Sequence, residues 1–86
     1  MSTETKRQAV VAEIPRLRRY VIALMRDRTK ADDLVHDAVL RALDKLHLWR
    51  ESTNMRTWLF TIMNNLHANE MRRRSRMLDV VPLNAA

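Results

Sequence analysis

The 86-residue chain contains no glycine, where average usage would be about 7%. Glycine normally supplies the positive φ of tight hairpins and of helix C-caps. Its absence argues against a glycine-rich phosphate loop and against tight hairpins. Apolar residues recur at helical spacing almost everywhere. The reading is all-α: three helices, or four if Pro15 splits the first.

The length suits one small domain with a modest apolar core. Cysteine is absent, so there is neither a disulfide nor a thiolate metal site, which fits a reducing compartment. No apolar run is long enough to span a bilayer. The opening MSTETKRQ lacks the features of a signal peptide. The expectation is a cytoplasmic protein with no membrane partner.

The formal net charge of +6 calls for an acidic partner, most simply nucleic acid. The charge is unevenly spread. Residues 1–28 carry seven basic and three acidic groups, residues 29–46 three and four, and residues 47–76 six and two. A slightly acidic middle between two basic ends suggests two different partner surfaces.

Residues 1–6 read as a loose N-terminus. The first helix is expected from about Arg7 to Arg26, with Val10, Ile14, Leu17, Val21 and Leu24 as its apolar stripe. A second begins near Thr29-Lys30-Ala31-Asp32, which resembles a capping box. Asp32 and Asp33 there would suit the helix dipole. Leu34, Val35, Ala38, Val39, Ala42, Leu43 and Leu46 form the second stripe. Asp33, His36, Asp37, Leu40, Arg41 and Asp44 fall outside it. Residues 47–54 break the pattern, and Ser52, Thr53 and Asn54 are all candidate caps for a third helix. That helix is read from about Met55 to Arg74, and residues 77–86 as linker or tail.

On the third helix Met55, Trp58, Leu59, Ile62, Met63 and Leu66 share the core side. Thr57, Thr61, Asn64, Asn65, Ala68 and Arg72 share the opposite one. Threonine and asparagine are poor helix formers, so a merely solvated face would more often be glutamate and lysine. Hydroxyls and amides do offer donors and acceptors to bases and sugars. Arg72, Arg73, Arg74 and Arg76 would hold phosphates. The plainer reading is an arginine-rich helix end favoured by the dipole, and composition alone leaves both open. Trp58 reads as core. Trp49 packs under the loop or offers a stacking surface, and Phe60 stacks on a base or packs against the first helix.

The segments DDLVHDAVLRALDKL (32–46), TNMRTWLFTIMNN (53–65) and the arginine run, in this order and spacing, resemble region 2 of bacterial extracytoplasmic-function (ECF) sigma factors. TNMRTWLFTI is especially similar to the alphaproteobacterial general-stress-response subgroup. The likeness covers about residues 10–76. It implies a helical bundle that binds the β′ clamp helices of core RNA polymerase. It also implies recognition of the promoter −10 element, with the non-template strand captured as single-stranded DNA and one base flipped into a loop pocket. By position, Asp33, His36, Asp37, Leu40 and Arg41 match the polymerase-facing side. Arg50, Glu51, Ser52, Thr53 and Asn54 match the flipped-base loop. Thr57, Phe60, Thr61, Asn64, Asn65 and Ala68 match the −10-reading helix, and Arg72, Arg73, Arg74 and Arg76 the phosphate-binding end. His36 stands where the family usually has glutamine, and the loop lacks the usual glycine. The resemblance further implies an anti-sigma partner. It makes residues 1–76 the region 2 domain and residues 77–86 the start of a linker to region 4, which is missing, so the chain is expected to be a fragment.

Asp33, His36 and Asp37 place three potential metal ligands on one helix face, but no second cluster completes a coordination sphere. His67 and Glu70 read as a surface pair. There is no triad and no carboxylate dyad, so neither an enzyme nor a cofactor is expected. The competing readings are a stand-alone helix-turn-helix-like duplex binder and a helical interaction module with incidental charge. Self-association through the second helix is a further expectation for an isolated domain.

Overall fold

A computed structural model describes the backbone of residues 2–85 and the side chains of residues 2–77. Three helices account for most of it: α1 (Thr3–Met25), α2 (Arg28–Asp44) and α3 (Met55–Ala85), with a 3-10 turn at Leu46–Leu48. The all-α expectation holds, with three helices rather than four.

Helix α1 starts earlier than its apolar stripe indicates. Ser2 caps it, its hydroxyl accepting from the Thr5 N–H at 3.2 Å. Residues 3–6 are therefore helical, not loose. Pro15 lies inside α1 without dividing it. At its end Arg26 adopts φ 57°, ψ 22°, and its N–H donates to the Ile22 carbonyl at 2.9 Å. This left-handed C-cap is the position glycine usually takes. A side chain there costs about 1 kcal/mol, a cost this glycine-free chain carries.

Asp27, not Thr29, caps α2. Its carboxylate accepts from the Lys30 N–H at 3.1 Å, so Asp27 plays the role expected of Thr29, two residues earlier in the chain. Asp32 and Asp33 consequently lie beyond the first turn. Asp32 instead accepts from Arg18 Nε at 2.9 Å, tying α2 to α1. Both partners are about half exposed, so this pair adds at most about 1 kcal/mol.

Helix α2 folds back along α1. The opening residues Thr3, Lys6 and Arg7 lie with Leu43, Leu46 and His47 around one shallow depression. Helix α3 then runs alongside α1: Arg56 meets Glu13, and Phe60, one turn on along α3, meets Tyr20, two turns on along α1. Val10, Leu17, Val21, Ala31, Ala38, Ala42, Leu59 and Met63 are fully buried between the three helices, with Val35 and Leu46 nearly so. Ile14, Leu34, Val39, Met55, Trp58, Ile62 and Leu66 pack around them. Burying a leucine such as Leu59 contributes about 1.5–3 kcal/mol. Leu24 and Leu43 depart from the expected stripes, remaining 44% and 36% exposed. Each sits near the end of its helix, at the edge of the apolar stripe.

Helix α3 continues to Ala85, well past the expected end near Arg74. Among the described residues no helix is long and apolar enough to cross a membrane.

Candidate nucleic-acid interface

The segment between α2 and α3 sets where α3 begins. Trp49 is buried after the 3-10 turn. Among the described residues its indole Nε1 has no acceptor within hydrogen-bond distance. Burial favours the packing role for Trp49 over a stacking surface. Arg50, Glu51, Ser52, Thr53 and Asn54 are all exposed. The Thr53 N–H donates to the Arg50 carbonyl at 2.8 Å, which closes a tight turn. Of the three candidate caps, Asn54 is the one used: its Oδ1 accepts from the Thr57 N–H at 3.2 Å. Its side-chain carbonyl is thus engaged by the helix.

From that start, the helical repeat brings Thr57, Thr61, Asn64, Asn65 and Ala68 to one outward side of α3. The first four are exposed and Ala68 is half-buried. Thr61 Oγ1 donates to the Thr57 carbonyl at 2.8 Å, so its hydroxyl oxygen remains available as an acceptor. Among the described residues the Asn64 and Asn65 amides make no side-chain hydrogen bond. Each presents two donors and an acceptor to solvent on a rigid helix. Phe60 lies beside this face. It is half-buried, its ring 5.3 Å from that of Tyr20 with 52° between the planes. Of its two expected roles, packing against the first helix is the one the geometry displays.

The arginine run divides in two. By helical register Arg72 and Arg76 continue the side that carries Asn65. Arg72 reaches the Asn69 Oδ1, and Arg76 has no partner among the described residues. Arg73 and Arg74 turn the other way, into a groove of about 540 Å³ between α2 and α3. There Glu70 holds both. Arg73 donates to its carboxylate at 2.7 and 3.1 Å, and Arg74 Nε lies 3.5 Å away. The hydrogen bonds from Arg73, with a smaller contribution from Arg74, hold the Glu70 carboxyl below the usual carboxylate range, and the bonds to Glu70 in turn raise Arg73. Glu70 therefore pairs with the arginines rather than with His67. Among the described residues His67 Nδ1 has no hydrogen-bond partner.

Asp33, Asp37 and Arg41 of α2 line the same groove, over an apolar floor of Met25, Leu34 and Leu66. Leu40, 53% exposed, borders a smaller depression with Asp44 further along. His36 is exposed on α2 but lines neither groove. Three of the five residues expected to face a protein partner, Asp33, Asp37 and Arg41, thus share a groove with two of the four arginines expected to face phosphates. Sequence reasoning missed this, because register alone does not say which neighbour a helix face meets. Among the described residues no group of three potential ligands could hold a metal ion, so Asp33, His36 and Asp37 do not form a site.

Residues 10–64 match the family model described as the Sigma2 domain of PhyR. The chain is 36% identical over 77 residues to the ECF RNA polymerase sigma factor EcfG of Rhodopseudomonas palustris (strain TIE-1), covering 90% of this chain and 42% of that protein. Its fold superposes with a TM-score of 0.77 and 35% identity on the sigma factor RpoE of Bartonella quintana, solved in complex with the anti-sigma factor NepR. That match covers 84% of this chain and 45% of the other. The chain therefore spans less than half the length of these relatives. On this likeness in sequence and in fold, the chain belongs to the ECF sigma-factor family and corresponds to region 2 of its EcfG-like members.

Proposed function

We propose that this chain is the module through which a sigma factor attaches to core RNA polymerase and holds the unpaired non-template strand of the −10 element. The carrying observation is the outward side of α3, where the Asn64 and Asn65 amides stand unengaged on a rigid helix that leads into Arg72 and Arg76. Extruded bases need such donors and acceptors, and the adjoining phosphates need the cations. In this reading Arg50 to Asn54 frame the flipped base, and Arg73 and Arg74 add phosphate contacts at the groove. Asp33, His36, Asp37, Leu40 and Arg41 meet the β′ clamp helices.

An anti-sigma protein that covers the α2 face would compete with polymerase, and the co-crystallised relative supports such a partner. The EcfG-like resemblance supports a role in stress-responsive initiation. Residues 1–76 are the region 2 domain in this reading, and residues 77–86 lead towards region 4.

The test is a titration of the chain against the isolated β′ clamp-helix hairpin, with Asp37→Arg as the control. Reversing a charge at such an interface costs several kcal/mol, so binding should fall by about 100-fold or more. A folded wild-type chain that does not bind the hairpin would remove the polymerase partner and favour a stand-alone duplex binder.

A further inference from the structure

The seam where α1 runs alongside α3 is not used by the reading above, yet it is built at two consecutive levels. At the first, the Glu13 carboxylate accepts from Arg56 Nε at 2.9 Å and from Nη2 at 3.4 Å, and it lies 3.9 Å from Arg16 Nε. At the second, the Tyr20 and Phe60 rings meet at 5.3 Å. Arg16 and Tyr20 are four residues apart on α1, and Arg56 and Phe60 are four apart on α3. Each arginine therefore lies one turn from its ring on the same helix face.

The groups at this seam are not sealed into the core. Tyr20 is 43% exposed, and the Arg16 and Arg56 side chains 51% and 46%. Two guanidiniums share the one Glu13 carboxylate, so a positive charge is left uncompensated beside an accessible ring. One turn further along α3 comes Asn64, which also belongs to the reading side. The seam is thus continuous with that face.

We propose that the α1–α3 seam is a second nucleotide subsite, in which Tyr20 stacks an unpaired base against a ring backed by Phe60 while Arg16 and Arg56 hold the neighbouring phosphate. Aromatic faces with adjacent arginines suit single strands because every base offers a π-face. The occupant is one more nucleotide of the strand that α3 reads, so the proposal rests on that reading. Glu13 is the positioning residue: by holding Arg56 and drawing Arg16 to the same level, it fixes where a phosphate sits relative to the rings.

The test uses fluorescein-labelled oligothymidylate of about twelve nucleotides with a single 2-aminopurine moved stepwise along the strand, within the usual range of single-strand site sizes. Tyr20→Leu keeps an apolar contact to Phe60 and removes the accessible ring. It should weaken binding by about fivefold or more and abolish the 2-aminopurine quenching at one position. Arg16→Gln should leave that quenching in place and lower the slope of log affinity against log salt by about 0.7. Asn65→Ala is measured in parallel on a strand of the same length that carries the −10 sequence, where its effect is expected. If Asn65→Ala weakens binding while both seam variants bind as wild type does, the seam is packing alone and the proposal falls while the α3 reading survives. If none of the three changes binding, both fall. Should Tyr20→Leu unfold, an unchanged salt slope in Arg16→Gln overturns the proposal by itself.

Discussion

The outward sides of α2 and α3 are made differently. That of α2 carries charged groups of both signs, Asp33, Asp37, Arg41 and Asp44, with exposed His36 and Leu40 among them and a groove with an apolar floor alongside. That of α3 carries short uncharged groups, Thr57, Thr61, Asn64 and Asn65, and leads into Arg72 and Arg76 at its far end. The first suits a protein helix, chosen by shape and charge pattern. The second suits a polymer whose edges are read by hydrogen bonds and whose backbone is held by charge. One bundle thus exposes two surfaces that obey different physics, and perturbations should tell them apart.

The largest expected effect abolishes the contrast. Leu59 is fully buried between the helices that carry both faces. Leu59→Ala should cost about 2–5 kcal/mol, a large share of the stability of a domain this small. A lower urea midpoint, with clamp-hairpin and single-strand binding lost together, is the expected result. Loss of one activity alone would mean that the faces do not depend on a common core.

The next perturbation sharpens the contrast within α3. Asn65→Ala should reduce discrimination between −10 and scrambled single strands by about 1–3 kcal/mol and leave hairpin binding intact. Arg72→Gln with Arg76→Gln should instead weaken all strands alike and flatten the salt slope by about 0.7 per arginine. The pair Arg73→Gln and Arg74→Gln should flatten it less, because Glu70 already engages both side chains. Equal slopes from the two pairs would show that the division of the arginine run does not matter for binding.

The smallest effect concerns that division directly. The Glu70 carboxyl is depressed by its hydrogen bonds to Arg73 and by Arg74. A depressed acid contributes its stabilisation above the unfolded-state value and loses it as pH falls through the lower folded value. The melting-temperature difference between wild type and Glu70→Gln should therefore be greatest near neutral pH and shrink as the pH falls through the carboxylate range. A difference that does not change with pH would show that the pair contributes nothing measurable in solution.

Much of this was legible in the amino-acid order. The helical repeat placed Leu17, Val21, Val35, Ala38, Leu59 and Met63 inside, and it gathered Thr57, Thr61, Asn64 and Asn65 on one side of α3. Caps and edges were less legible. Asp27 and Thr29 both offer an oxygen near the start of α2, and only the backbone geometry selects Asp27. Leu24 and Leu43 fit the apolar period, but period does not say where a neighbouring helix stops covering its partner. The meeting of Tyr20 with Phe60, and the turn of Arg73 and Arg74 into the α2 groove, depend on how helices are set against each other. These contacts join residues 40 or so positions apart, and no local pattern encodes them.

Arg72 and Arg73 are consecutive residues of one helix, yet by register one follows the side of Asn64 and Asn65 and the other lines the groove with Asp33 and Asp37. A helix has no slack between neighbouring residues. An occupant of the groove that shifts the Arg73 backbone must carry Arg72 with it. The two surfaces are then joined by a single coupling free energy, and thermodynamic linkage makes it reciprocal: by whatever factor a groove partner alters the affinity for a strand, the strand alters the affinity for that partner by the same factor.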